Sequence, residues 1–377
     1  MLNKPDVKRM IEDIIRTELA RNRADALAVF DYPEDEDLLA RLPAEVAETV
    51  RQSVSGMFGF PLRAFSSVAL MTDYAYASFA ANQAVHFFTS GSTGTPKKCV
   101  HTTEMMHEEA FGVAPLFKGI KRIISLVPSN HLYGFTFTVL LPHALGAEVK
   151  VYPPLPTLSW ERILQPGDLM VGFPLFWNYW VRCQIRFPAG VYALSSTAPS
   201  KDETIRSLYE LGVAGFTEIY GASETGAVAF RHHAGDAFEL LPFWELDFSE
   251  QPSVKRHSQS VWNVLPDNVE LSDARHFRPA GRNDRCVQVA GVNVYPARVE
   301  EELRQHPAVQ DCKVRLMRPD EGERLKAFIV LNEGFTPEHE AIIRTFLSRR
   351  VSVHEMPRRF TFGPALPVNT LGKDADW

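Results

Sequence analysis

The chain has 377 residues, 45% of them hydrophobic and 23% charged, with a formal net charge of −6. That is a globular composition with room for two domains and a large core, and its acidic balance argues against a nucleic-acid binder, which carries a basic excess or stripe. Cys99, Cys183, Cys286 and Cys312 are scattered without a Cys-x-x-Cys pair and read as neither a disulfide framework nor a zinc site.

In chain order, Val7, Met10, Ile11, Ile14, Ile15 and Leu19 fall at helical spacing and predict an amphipathic first helix. This charged N-terminal stretch is not a secretory signal. No run of some twenty apolar residues follows, so no membrane span is expected and a cytoplasmic setting fits. The acidic, turn-rich residues 31–43 read as surface. From about residue 84 strand-like and helical runs alternate. AVHFF, KRIISLV, EVKVY, DLMVGF, VYALS and FTEIY read as strands, with helices ending at Gly146 and Gly212 between them. This predicts an α/β fold, a large N-terminal domain built on a mostly parallel, doubly wound sheet.

After residue 280 the texture changes. Strand, helix, two strands, helix and a last strand, RRFTF, follow one another in the order β-α-β-β-α-β. That order predicts a small C-terminal α+β, ferredoxin-like domain. The expected domains are therefore 1–280 and 281–377.

The segment with the most chemistry in it is Phe88-Thr89-Ser90-Gly91-Ser92-Thr93-Gly94-Thr95-Pro96-Lys97-Lys98. Glycines let backbone N–H groups close on phosphate oxygens, hydroxyls donate further bonds, and lysine supplies charge. Its order is not that of a Walker loop, where Gly-Lys precedes Ser/Thr, which disfavours a P-loop NTPase. Three more segments stand in order behind it: Tyr220-Gly221-Ala222-Ser223-Glu224, Gly281-Arg282-Asn283-Asp284-Arg285 with Val289 to Pro296, and Pro367-Val368-Asn369-Thr370-Leu371-Gly372-Lys373.

Together the four resemble the signatures of the adenylate-forming superfamily, which contains acyl- and aryl-CoA synthetases, peptide adenylation domains and beetle luciferases. The resemblance implies a two-step acid–thiol ligase. A carboxylate attacks the α-phosphorus of ATP, pyrophosphate leaves, and the acyl group passes to a thiol, that of CoA or of a carrier protein's phosphopantetheine. Catalysis between two anions is mostly positioning and charge neutralisation. By resemblance, Thr89, Ser90, Gly91, Ser92, Thr93, Gly94 and Lys97 hold the β- and γ-phosphates, and Ser223 donates to the α-phosphate. Glu224 ligates Mg²⁺, a hard cation that takes oxygen ligands. Tyr220, with Gly221 and Ala222, lies at adenine, which Ser196, Thr197 and Ala198 border. Arg282 and Asp273 take the ribose, and Lys373 bridges the acyl carboxylate and the α-phosphate. Asp284 is the hinge about which the small domain rotates between half-reactions, and Gly291 lines the thiol channel. His131 gates the acyl pocket.

Between His131 and Glu224, the aromatics Phe173, Phe176, Trp177, Tyr179 and Trp180 read equally as a slot for a planar acid or as core. No aspartate precedes them in the way the family's amino-acid-activating domains use one to hold an α-amino group, which by that resemblance favours an aryl or other small carboxylic acid. Where most relatives carry well over a hundred residues before the phosphate loop, this chain carries about eighty-six. The N-terminal domain therefore reads as trimmed, and any apolar surface so exposed allows a homodimer. Two alternatives remain open: an adenylating enzyme that loads a carrier protein or an amine, and an inactive binding or regulatory homologue.

Overall fold

The computed structural model describes residues 2–21, 39, 42–89, 97–155, 158–249, 251–282, 286–289, 292–318, 321–322, 324–367 and 377. They form two compact units, one of residues up to 89 with 98–281 and the other chiefly of 282–377.

Three helices open the large unit: Lys4–Arg21, Ala44–Phe58 and Val68–Asn82. The apolar stripe read from the first is buried, with Val7, Met10, Ile11 and Ile15 all 0% exposed. Ser67 caps the third helix through a bond from Leu70 N, and Gly59 closes the second in the left-handed conformation that favours glycine. Their shared core takes in Val85, Phe87, Phe135, Val139 and Leu140.

Among the described residues the strand Ala84–Thr89 pairs only with Lys97–Thr102, in a two-stranded sheet apart from the main one. The seven residues between them are too few for the crossover that a parallel pairing requires.

The main sheet has nine strands. Five of them, Glu148–Val151, Arg122–Ser125, Asp168–Val171, Tyr192–Ser195 and Gly215–Ala222, lie side by side and parallel. The helices Pro174–Arg182 and Asp202–Glu210 belong to this crossover pattern. Beyond Gly215–Ala222 the sheet turns antiparallel through Gly226–Arg231, Phe238–Leu240 and His276–Arg282. The first two reversals follow from connections of three and six residues, after Ala222 and after Arg231, which are too short for a parallel crossover. Of the aromatics that read equally as slot or core, Phe176, Trp177 and Trp180 are at most 1% exposed. They pack with Trp160 and Phe187 in one core cluster, and the Trp177 indole donates to the Leu194 carbonyl at 3.2 Å. For these three the core reading holds. Tyr179 is exposed and Phe173 half-buried.

One buried ion pair joins four parts of this unit. Arg256, 0% exposed, comes from the strand Ser253–Arg256 of a small three-stranded sheet. Its guanidinium meets Glu109 at 2.5 Å and Glu108 at 3.2 Å, both on the helix Thr103–Val113. It also donates to the Thr225 carbonyl at 2.7 Å and lies over the rings of Phe243 and Trp244. Glu109 in turn accepts from Thr136 Oγ1 at 2.9 Å and Ala227 N at 3.1 Å.

In the small unit the predicted element order is present. The first strand run folds back on itself as the hairpin Val287–Val289 with Val292–Val294. It is a sheet of its own, while Leu325–Leu331 is the centre of a second sheet, antiparallel to Val309–Leu316 and parallel to Arg359–Phe362. Lys326, 0% exposed, donates to both Glu321 oxygens at 2.7 and 2.8 Å and to the Trp377 carbonyl at 2.6 Å. The Trp377 ring packs on Phe328 and under Arg315. Burial pushes the Cys312 thiol up to about 12, which makes it inert as a nucleophile.

Two outcomes are expected. Replacing Arg256 by Met leaves Glu109 buried without its cation and should lower stability by about 3–5 kcal/mol, read by urea unfolding. The Lys326 ammonium holds the Glu321 carboxyl down at about 2 from the usual 4.5. A depressed carboxyl contributes stability above its unfolded value and loses it as pH falls through its folded value. The unfolding midpoint should therefore drop between pH 4.5 and 2, and Glu321→Gln should flatten that drop; an equally steep loss in the variant would remove the assignment.

Candidate active site

Three of the resemblance-derived segments follow the C-terminal ends of parallel strands, the edge where open α/β sheets bind ligands. His131 lies after Arg122–Ser125, Ser196 to Ala198 directly after Tyr192–Ser195, and Ser223 and Glu224 directly after Gly215–Ala222.

The turn that presents Ser223 and Glu224 is fixed from several sides. The Thr225 hydroxyl accepts from Ala222 N at 3.1 Å. His101 Nε2 lies 2.9 Å from the Ser223 carbonyl, so that nitrogen carries the proton and donates. Burial holds the His101 ring below its ordinary pKa, and it is neutral at physiological pH. Two glycines are sterically required here. A Cβ on Gly221 would stand 2.1 Å from the Gly226 carbonyl, and one on Gly226 would stand 2.2 Å from Glu109 Oε2, where the backbone also has a positive φ. Glu224 borders a cavity of about 450 Å³ whose wall includes Ser258, Gln259, Ser260 and Asn263.

The Ser196 hydroxyl donates to the Ile219 carbonyl at 2.9 Å and ties the two strand ends together. Thr197 has φ +78, a conformation that costs a β-branched residue energy and marks functional turns. Ala198 is half-buried beside it. Tyr220 is half-buried, its ring against Phe238 and Phe277 and its hydroxyl donating to Asp267 Oδ2 at 2.7 Å. One strand pair away, Glu218 is buried, with Arg231 Nε at 2.6 Å and Ser200 N at 2.5 Å. Burial raises its carboxyl pKa against the pull of Arg231.

Asp273, expected at the ribose, lies in the turn between the strands Asp267–Leu271 and His276–Arg282. Its exposed carboxylate is committed to a local turn, accepting from Arg275 N at 2.8 Å and His276 N at 2.9 Å, with the His276 ring 2.9 Å away. Those bonds hold its carboxyl below the ordinary range. Asp267, six residues earlier, is the aspartate at the strand ends. Asp267 stands fifteen positions before Arg282, and Asp273 nine. His101, Glu109 and Arg256, which hold the Ser223–Gly226 turn, were also missed; an Arg or Glu alone gives no sign of burial in a sequence.

Thr89 ends its strand and Lys97 begins the next, exposed. Ser90, Gly91, Ser92, Thr93 and Gly94 between them lie outside the described residues, as do Asp284, Gly291 and Lys373. Arg282 ends the strand His276–Arg282. No described helix is long and apolar enough to cross a membrane, and the described residues hold no cluster of three or more His, Cys, Asp or Glu side chains able to bind a metal.

The sequence matches the family model of the AMP-binding enzymes over residues 20–258 and that of the AMP-binding enzyme C-terminal domain over 298–373. It is 32% identical over 391 residues to a 4-coumarate–CoA ligase of Halorhodospira halophila, covering 99% of both chains. It is also 32% identical over 401 residues to a 4-coumarate–CoA ligase of Rhodobacter capsulatus, covering 98% of this chain and 100% of the other. The fold is shared with an amide bond synthetase from Marinactinospora thermotolerans, at a TM-score of 0.67, 20% identity and coverage of 97% and 81% of the two chains. It is also shared with the o-succinylbenzoate CoA synthetase of Bacillus subtilis, at a TM-score of 0.64, 18% identity and coverage of 77% and 67%. The chain belongs to the AMP-binding enzymes, as a member of the adenylate-forming acyl- and aryl-CoA synthetase family.

Proposed function

We propose that this acid–thiol ligase activates 4-coumarate or a closely related aryl acid with ATP and transfers the acyl group to CoA. The observation that carries the choice of acid is 32% identity, over essentially the whole of both chains, to two 4-coumarate–CoA ligases. In the first step a carboxylate oxygen bonds to the α-phosphorus, the bond to the β-phosphate bridge breaks, and pyrophosphate departs. In the second the thiolate bonds to the acyl carbon and AMP leaves. A cytoplasmic setting, where ATP and CoA are both at hand, is part of the proposal.

Lys97 and the loop from Thr89 to Gly94 are assigned to the outer phosphates, and Ser223 to the α-phosphate. Glu224 is assigned to Mg²⁺. Glu224 is the one carboxylate on a cavity wall that mixes hydroxyl and amide side chains with apolar ones and the already paired Arg256, and this ion takes one or two carboxylates and fills its shell with phosphate oxygens and water. When bound it would offset phosphate charge. The Tyr220 ring, with Gly221, Ala222 and the Ser196–Ala198 turn, is assigned to adenine. For the ribose we replace Asp273 by Asp267, with Arg282 as its partner, because the Asp267 carboxylate is held at Tyr220. His131 is assigned to the entry of the acid and Lys373 to the carboxylate and α-phosphate together. Asp284 and Gly291 keep the hinge and thiol-channel assignments.

Pyrophosphate release with ATP and Mg²⁺, measured across a panel of acids, should be greatest with 4-coumarate and rise when CoA is added. If release needs the acid but ignores CoA, a carrier protein becomes the acceptor; if no aryl acid supports release, the substrate proposal fails. Asp267→Ala should raise the KM for ATP about tenfold or more, the loss of a hydrogen bond to a charged group. Asp273→Ala should leave that KM alone, and the reverse pattern would restore Asp273 to the ribose.

A further inference from the structure

We infer that Asp13, on the first helix, is a positioning residue that sets the His131 turn and with it the binding of the acid. The inference rests on the assignment of His131 to the acyl side of the site. Asp13 is 4% exposed and Ser129 0%. One Asp13 oxygen accepts from both Ser129 N at 2.8 Å and Ser129 Oγ at 2.5 Å. The other accepts from Arg16 Nη1 at 2.8 Å. One helical turn earlier, Arg9 donates to the Thr138 hydroxyl at 3.1 Å and to the Thr138 carbonyl. Two successive turns of one helix therefore grip both ends of the segment 129–138, and His131 is two residues from the first grip.

Within that segment little can give. A Cβ on Gly134 would lie 2.1 Å from the Pro128 carbonyl oxygen, so the backbone there is in close contact. His131 sits at the start of the helix Leu132–Phe135 with φ −103 and ψ 146, its carbonyl accepting from Phe135 N at 2.8 Å. The next turn, Thr136–Leu140, is a π-helix, a form concentrated at functional sites.

A carboxylate at this place is costly as mere glue. Its neighbours on the helix, Met10, Ile11, Ile14 and Ile15, are all at most 1% exposed, and an apolar residue would hold the helix down at least as well. What the carboxylate adds is direction. Two hydrogen bonds to one residue define where the Ser129 backbone lies, and through it where the His131 turn begins.

The test is steady-state kinetics of the full chain and its Asp13→Asn, Ser129→Ala, His131→Ala and Asp13→Asn/His131→Ala variants, varying the acid, ATP and CoA separately. Asp13→Asn should raise the KM for the acid about tenfold, the worth of one charge-assisted hydrogen bond. The KM values for ATP and CoA should stay within about twofold, and the double variant should be no worse than His131→Ala, as expected of coupled residues. Ser129→Ala, which keeps the backbone bond, should move the acid KM less in the same direction, and it stands in if Asp13→Asn does not fold. A loss of thermal stability with an unchanged acid KM would show Asp13 to be structural only. Full additivity in the double variant, or a neutral His131→Ala, overturns the route through His131 while leaving acid-dependent pyrophosphate release, and so the proposed function, intact. Absence of that release in the wild-type chain overturns both.

Discussion

The buried contact of Arg256 with Glu109 is the constraint around which the large unit is arranged. A guanidinium with no solvent exposure keeps its charge only if carboxylates and carbonyls surround it. Here they come from the helix Thr103–Val113 and from the turn after Gly215–Ala222. Glu109 then has oxygens to satisfy, and it does so at Ala227 and Thr136. One pair thus joins a helix, the central strand hairpin, the π-helical turn and the small three-stranded sheet. Such a pair adds little net stability over well-packed apolar residues. What it supplies is a fixed place for the turn carrying Ser223 and Glu224.

That turn is exacting in a second way. Gly221 and Gly226 are where they are because backbone and carboxylate oxygens stand close to the positions any Cβ would take. A proton on His101 Nε2 secures the Ser223 carbonyl, and a ring kept neutral by burial can hold that bond without adding charge beside the turn. Pre-set donors and dipoles of this kind stabilise developing charge without reorganising during the reaction.

Among the described residues of the first 82, the helices Lys4–Arg21, Ala44–Phe58 and Val68–Asn82 share one apolar core with Phe135, Val139 and Leu140. They are more than a cover. Arg9 and Asp13 reach from the first of them into the segment between residues 129 and 138, so the packing of the N-terminal helices and the path of that segment are linked.

Much of this was legible from residue order alone. Local chemistry is written in short strings: a phosphate loop needs glycines, hydroxyls and lysine together, and a first helix shows its buried stripe by spacing. So the α/β class, the parallel strands from Arg122 to Ala222 and the Tyr220–Glu224 turn could be read directly. Three things could not. AVHFF reads like any core strand, yet it pairs with Lys97–Thr102 in a sheet of its own. Phe176, Trp177 and Trp180 read as slot or core until the cluster around Trp160 showed them enclosed. Asp267 and Asp273 are the same residue type six positions apart, yet one is absorbed by a turn at His276 and the other is held at Tyr220. The sequence by itself determined which residue types could bind and neutralise phosphate. Tertiary structure alone decided which aspartate is tied up in a turn, which aromatics are core and which charges are buried, because hydrogen bonds and burial depend on partners brought together from up to 151 residues away.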